Sequence, residues 1–194
     1  MKNINLLVGL GNVGLEYETT RHNFGFLLLD QIIEDYGFTK IADKKFHSEI
    51  FSGKINDKKI IAIKPHTFMN RSGIAVAEVA NFYKIDLHQI IALHDDIDLE
   101  LGRVKVKIGG GNAGHNGLKS LDEFVGKNYM RLRLGVSRPE NKEYEVADYV
   151  LGKFNKAEME WVGKINCKIS DVIDELLEGR EDKFLNEFYG KVSV

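Results

Sequence analysis

The sequence predicts an α/β fold: one domain over residues 1–194, with a twisted, mixed and largely parallel sheet flanked by helices on both faces. Three observations carry this expectation. Strand-like and helix-like segments alternate through the first 140 residues, and helices follow. Two of the strands, INLLVGL and IIALHD, are nearly continuous apolar runs, as strands covered on both faces require. The chain of 194 residues is 43% hydrophobic, enough for a sizeable core, and contains no repeat, low-complexity tract or linker.

Residues 4–10 read as a buried strand that runs into Gly9-Leu10-Gly11-Asn12-Val13-Gly14. Phe24 to Tyr36 is predicted helical, with Leu29, Ile32, Ile33 and Tyr36 on one stripe and Gly37 as its stop. FHSEIFSGKI and KKIIAIK predict a hairpin around Asn56-Asp57. Ser72 to Tyr83 is a second helix, IIALHD a strand ending in acids, and RVKVKI an alternating, half-exposed strand. After GGGNAGHNG come a short helix, LKSLDEFVG, and the alternating strand RLRLGVS. Glu143 to Phe154 and Lys156 to Leu177 read as two helices, with a shorter one near the end.

Several classes of protein are disfavoured by composition. No apolar run reaches the roughly 20 residues that cross a bilayer. MKNINLLVGL lacks the pattern of a cleaved leader, so the expected setting is the cytoplasm, without a membrane. A single cysteine, Cys167, cannot form an internal disulfide, which fits a reducing compartment, and its surroundings predict a small core-facing residue. Net charge is only −2, yet Leu101 to Arg138 holds eight basic residues against two acidic ones. Such a segment predicts a local surface for an anionic partner as readily as a strand with outward lysines.

GLGNVG fits the G-x-G-x-x-G loop of dinucleotide-binding folds, but its context does not. In those folds a helix begins inside the glycine loop, whereas LEYETTRHN intervenes here before any apolar stripe. The acids at the expected distance, Glu34 and Asp35, fall inside a helical pattern instead of at a strand tip. Polar residues cluster at strand ends and helix starts: Asn12, Arg21-His22-Asn23, Met69-Asn70, His94-Asp95-Asp96 and Asn112 to Asn116. No G-x-S-x-G elbow occurs. Imidazole and carboxylate without a side-chain nucleophile suit general-base activation of water, and carboxamides can bind a carbonyl or oxyanion without adding charge. His94, Asp95, Asp96 and Asp98 do not predict a metal site, since successive strand residues face opposite ways. His115 reads as a turn residue, Phe68 as core, and Met69 as both core and cleft.

GLGNVGLEYETTRHNFGF, KPHTFMNRSG, HDDIDLELGRVKVK and GGGNAGHNGLKS stand in the order and approximate spacing of bacterial-type peptidyl-tRNA hydrolase, which the chain resembles from about residue 4 to 138. The resemblance implies a single α/β domain that hydrolyses the ester between a peptide and the 3′ ribose of tRNA, recycling tRNA without metal or organic cofactor. It implies His22 as the catalytic base, Asp95 as the acid that orients it, and Asn12, Asn70 and Asn116 as amides that hold the peptide end, ester and water. Tyr17 and Met69 would shape the cleft, and Lys105, Lys107, Arg131 and Arg133 would meet tRNA phosphates. A monomer is the default assembly. Val13, Asn112 and Asp96 depart from the family's usual Pro, His and Glu, and GKNYMRLRLG is shorter than in many members. Two rival readings are a non-catalytic RNA-binding module and a nicotinamide-dependent oxidoreductase.

Overall fold

The computed structural model describes residues 4–41, 45–141 and 143–190. The chain runs β1 (Ile4–Gly9), α1 (Phe24–Asp35), β2 (Thr39–Ile41), β3 (Ser48–Ile55), β4 (Lys58–Pro65), α2 (Ser72–Tyr83), β5 (Ile90–Asp96), β6 (Val104–Ile108), α3 (Asn116–Phe124) and β7 (Met130–Gly135). Helices α4 (Val146–Leu151), α5 (Lys156–Ser170), α6 (Ile173–Leu177) and α7 (Glu181–Gly190) follow. One seven-stranded sheet has the order β2-β3-β4-β1-β5-β7-β6. Its four central strands, β4, β1, β5 and β7, pair in parallel. Antiparallel partners close both edges, with β2 and β3 on one side and β6 on the other.

Strand alternation divides the core into two. Leu7, Ala62, Ile91, Leu93 and Leu132 face the layer built by α1, α5, α6 and α7. Leu6, Val8, Ile61, Ile63 and Ala92 face the layer of α2 and α3. Both faces of β1 and β5 are therefore dry, which is why their sequences are uninterrupted apolar runs. The same alternation places Asp95 on the α1 side of β5 and His94 and Asp96 on the α3 side.

The GLGNVG segment does not open a helix: α1 begins only at Phe24. Its glycines serve packing and turning. A Cβ on Gly9 would lie 2.8 Å from the carbonyl oxygen of Gly25, and one on Gly25 would lie 2.1 Å from that of Leu93. The start of α1 thus rests directly on the carboxyl ends of β1 and β5. Gly14 turns the chain with φ +123°. Gly25→Ala is expected to destabilise the fold by about 3 kcal/mol, because backbone and not a movable side chain blocks the new methyl. Urea unfolding would measure it, and an unchanged midpoint would refute the close-packing argument.

The hairpin forms as its sequence predicts, with Ile55 paired to Lys58 and Asn56 at φ 52°, a left-handed position that asparagine tolerates. Three features differ from expectation. Strand β2 is not legible in the sequence, since three edge residues, Thr39 and Lys40 exposed and Ile41 partly buried, are too few to show an alternation. The helix expected over 143–154 shrinks to α4, and the one over 156–177 breaks between Ser170 and Ile173. Val172 and Ile173 still join the same core as Ile165 and Ile169, because positions i, i+4, i+7 and i+8 share one helical face. Cys167 is exposed, lying off the α5 stripe of Val162, Ile165 and Ile169. Among the described residues, no helix is long and apolar enough to cross a membrane.

Candidate active site

Loops leaving the carboxyl ends of β1 and β5 meet the entry to α1, the crevice where open α/β sheets place their sites. Asn23, the last residue of a 3₁₀ turn over Arg21–Asn23, clamps the β1 loop. Its Oδ1 accepts from the Asn12 amide N–H at 2.8 Å and its Nδ2 donates to the Asn12 carbonyl at 2.9 Å. The Oδ1 of Asn12 in turn accepts from the Met69 N–H at 2.8 Å. Asn12 therefore holds the loop after β4 in place, and Nδ2 is the donor its side chain has left for a ligand.

His22 sits on that clamped turn, 8% exposed. Its Nδ1 lies 2.9 Å and 3.1 Å from the two carboxylate oxygens of Asp95, at the end of β5. Oδ1 of Asp95 also faces Nε2 of His115 at 3.0 Å. The network assigns the protons. Nδ1 of His115 accepts from the backbone N–H groups of Gly117 and Leu118, at 3.1 Å and 3.3 Å, so its proton is on Nε2. A carboxylate only accepts, so His22 carries its proton on Nδ1 and presents the lone pair of Nε2.

The electrostatics follow from this arrangement. Burial opposes ionisation of Asp95, but the two imidazoles and their N–H bonds hold its pKa well below the ordinary carboxylate value. Burial also opposes charge on His22, yet the field and hydrogen bond of Asp95 outweigh it, and the pKa rises above 6.5. His94, across the sheet, is lowered by burial and then by the neighbouring His115, and is neutral near pH 7. Its Nδ1 donates to the carbonyl of Asp95 at 2.7 Å.

Two cavities meet at His22. The larger, about 750 Å³, is lined by Asp95, Asp96, Lys107, the loop Gly111–His115, Arg133 and Arg138. The smaller, about 220 Å³, is lined by Asn12, Phe68, Met69, Asn70 and Leu151. His22, Asn116, Ala147 and Val150 belong to both. One cavity is thus rich in cations, and the other combines amides with apolar surface.

Most of the residues singled out from the sequence converge here. Met69 is 4% exposed and serves both core and cavity. Phe68 is not core: it is 53% exposed at φ 58°, a strained conformation for a bulky residue at a cleft wall. Tyr17 is half-buried and lines neither cavity; its backbone closes the turn that leads to Thr20. Lys105 and Lys107 are exposed on β6, opposite Arg133 and Arg131 in the register, and only Lys107 reaches the larger cavity.

Arg131 is engaged differently from the other cations. It is 1% exposed, with Nη2 bonded to Asp122 at 2.7 Å, Nη1 to the carbonyl of Gly111 at 2.9 Å, and its plane over Tyr129. A guanidinium so committed tethers the glycine loop where it borders the larger cavity, with both Nη groups already engaged, and alternation on β7 could not distinguish it from Arg133. Arg133 itself is held by Asp96, whose shorter side chain still reaches Nε at 2.7 Å.

His115 is the residue that sequence reasoning passed over. The expected turn residue is also the cap of α3, and its second nitrogen shares the carboxylate with His22. The legible signal was a histidine at a helix start: capping uses one ring nitrogen and leaves the other for a partner. Among the described residues, His22, Asp95 and His115 are also the group whose donor atoms lie close enough, within 4.8 Å, to share an ion. Only one acid of HDDID takes part, and the ring nitrogens facing it are its hydrogen-bond donors.

A family model described as peptidyl-tRNA hydrolase matches residues 6–193. This chain belongs to the peptidyl-tRNA hydrolase family. A peptidyl-tRNA hydrolase from Wolbachia sp. subsp. Drosophila simulans (strain wRi) is 51% identical over 183 residues, covering 94% of this chain and 98% of the relative. One from Rickettsia bellii (strain RML369-C) is 49% identical over 179 residues, covering 92% and 96%. The solved structure of peptidyl-tRNA hydrolase from Acinetobacter baumannii superposes with a TM-score of 0.89 at 38% identity, covering 97% of this chain and 95% of that one. The α/β fold and largely parallel central sheet are therefore those of the peptidyl-tRNA hydrolase family.

Proposed function

We propose that this family member hydrolyses the ester joining a peptide, or an N-blocked aminoacyl group, to the 3′ ribose of tRNA. His22 acts as general base. The observation that carries the reading is the buried His22–Asp95 pair at the junction of two cavities of opposite character. The cationic cavity suits a nucleotide end, and the amide-lined one suits the acyl group.

In this mechanism Nε2 of His22 takes a proton from water as its oxygen bonds to the ester carbonyl carbon. Asp95 holds the tautomer and stabilises the imidazolium. Collapse of the tetrahedral intermediate breaks the bond to the 3′ oxygen, which receives the proton from His22. The products are a free carboxylic acid and a 3′ hydroxyl. Asn12, Asn70 and Asn116 offer amide donors to the acyl carbonyl and the developing oxyanion. Met69 and Phe68 wall the acyl side, with Tyr17 supporting the turn that carries His22. No step calls for a metal or organic cofactor. The reading treats residues 1–194 as one catalytic domain working as a cytoplasmic monomer.

The test is incubation with an N-blocked aminoacyl-tRNA. Release of free tRNA supports the reading, binding without release leaves only an RNA-binding module, and saturable binding of NAD(H) would favour an oxidoreductase. Phosphate contacts are assigned to Lys105, Lys107 and Arg133. The double variant Lys105→Gln/Lys107→Gln removes two exposed cations without touching the core. It is expected to raise KM for the tRNA substrate about tenfold and to flatten its salt dependence by about two. A short ester mimic lacking the tRNA should be hydrolysed as before, and equal losses on both substrates would remove the phosphate role.

A further inference from the structure

Arg21 precedes His22 in sequence but points away from the reacting centre. Its Nη2 makes a forked pair with Glu158, at 2.9 Å and 3.0 Å. Its Nη1 donates to the carbonyls of Gly152 and Lys153, at 3.3 Å and 3.2 Å. The guanidinium lies 4.5 Å from the ring centroid of Tyr149 and 5.5 Å from that of Phe154. The backbone adds to this: Arg21 N–H donates to the Gly152 carbonyl at 3.1 Å, and Phe154 N–H donates to that of Thr19 at 2.9 Å.

Every one of these partners belongs to α4, to the joint between α4 and α5, or to the first turn of α5. Helix α4 is only six residues long, and just one of them, Val150, is buried. Yet Ala147 and Val150 line both cavities, and Leu151 lines the smaller. A short, largely exposed helix thus forms one wall of the cleft, and a single side chain bolts its end to the turn that carries His22. Those contacts use two planar Nη groups held at a fixed angle and a stacking face, which arginine has and lysine lacks.

We propose that Arg21 is a positioning residue that registers the α4 wall against His22, so that seating of substrate on α4 and alignment of the base are one event. The proposal rests on the assignment of His22 as base, which the turnover of a His22→Asn variant tests separately.

The deciding experiment is a double-mutant cycle on steady-state hydrolysis of N-blocked aminoacyl-tRNA, with Arg21→Lys and Val150→Ala as the single changes. It is run at a temperature where circular dichroism shows all four proteins of the cycle folded. Arg21→Lys is expected to lower kcat about tenfold, within what an ångström-scale misplacement costs. It should also move the acid limb of kcat/KM to lower pH, because His22 loses register with Asp95. In its background the effect of Val150→Ala should shrink at least about threefold, since contacting or mechanically linked sites are not additive. Glu158→Gln, which keeps the stacked guanidinium but weakens the fork, should show the same changes at smaller size and serves if Arg21→Lys does not fold. Multiplicative single effects with an unmoved acid limb would overturn the proposal and leave Arg21 a stability residue only.

Discussion

Replacing His22 by asparagine is expected to lower kcat for N-blocked aminoacyl-tRNA about 10²–10⁴-fold, the usual worth of a positioned general base. Affinity for the tRNA should change little, because the cations that would bind phosphate lie on β6 and β7, away from the imidazole. Asparagine fills part of the ring's volume and can still donate to Asp95, so the buried carboxylate is not stranded and the fold should survive. Steady-state kinetics beside a binding titration with uncharged tRNA separates the two effects. Near-normal turnover in this variant would sink the mechanism, whereas lost binding would show that His22 shapes the RNA site.

Asp95→Asn is expected to cost a comparable factor, about 10²–10⁴, and to change the shape of the pH profile as well. The sign follows from the opposing effects on His22. Burial pushes its pKa down and Asp95 pushes it up, and Asp95 wins in the native protein. The base form is lost as pH falls through that raised value, so the acid limb of kcat/KM should lie above 6.5 in the wild type. Removing the charge leaves burial unopposed, and the limb should then move below 6.5. A limb that stays above 6.5 in the variant would mean that another group controls the profile. The second donor on Oδ1, from His115, matters here. It divides the carboxylate between two imidazoles, so the pull of Asp95 on His22 is less than an isolated pair would give.

The candidate site was legible to the extent that its residues sit at ends of regular elements. Asn12, His22, Met69, Asn70, Asp95 and Asn116 each fall where a strand stops or a helix starts, and all of them line one or both cavities at the crevice. Residues in mid-element were harder. Arg131 and Arg133 occupy equivalent alternating positions on β7, but Asp122 and the Gly111 carbonyl engage only the first. No periodicity in RLRLG encodes which partner a guanidinium meets. Phe68 looked like core because it is aromatic beside Met69, and only its left-handed backbone turns it outward. Cys167 fails for a related reason: one helical position decides whether a small residue faces the core or water.

Chain pattern alone settled what depends on neighbours within a few residues. The apolar runs of β1 and β5 demand burial on both faces, the glycines of the first loop demand a turn and a close approach, and Asn56-Asp57 demands a hairpin. These preferences are local and cooperative, and they suffice for an α/β sheet. Tertiary structure decided what depends on two distant segments arriving at one point. That His115 shares the carboxylate of Asp95, that Arg131 rather than Arg133 is engaged by Asp122, and that the end of α4 is tied to Arg21 all involve partners at least nine residues apart, and in the last case 131. Burial sets the strength of such contacts by removing competing water, and burial is a property of the packed molecule, not of the strand or helix that carries the residue. The segment GLGNVG shows both sides: its sequence calls for a tight turn, and only packing against Gly25 and Asn23 brings that turn, through Asn12, to the candidate site.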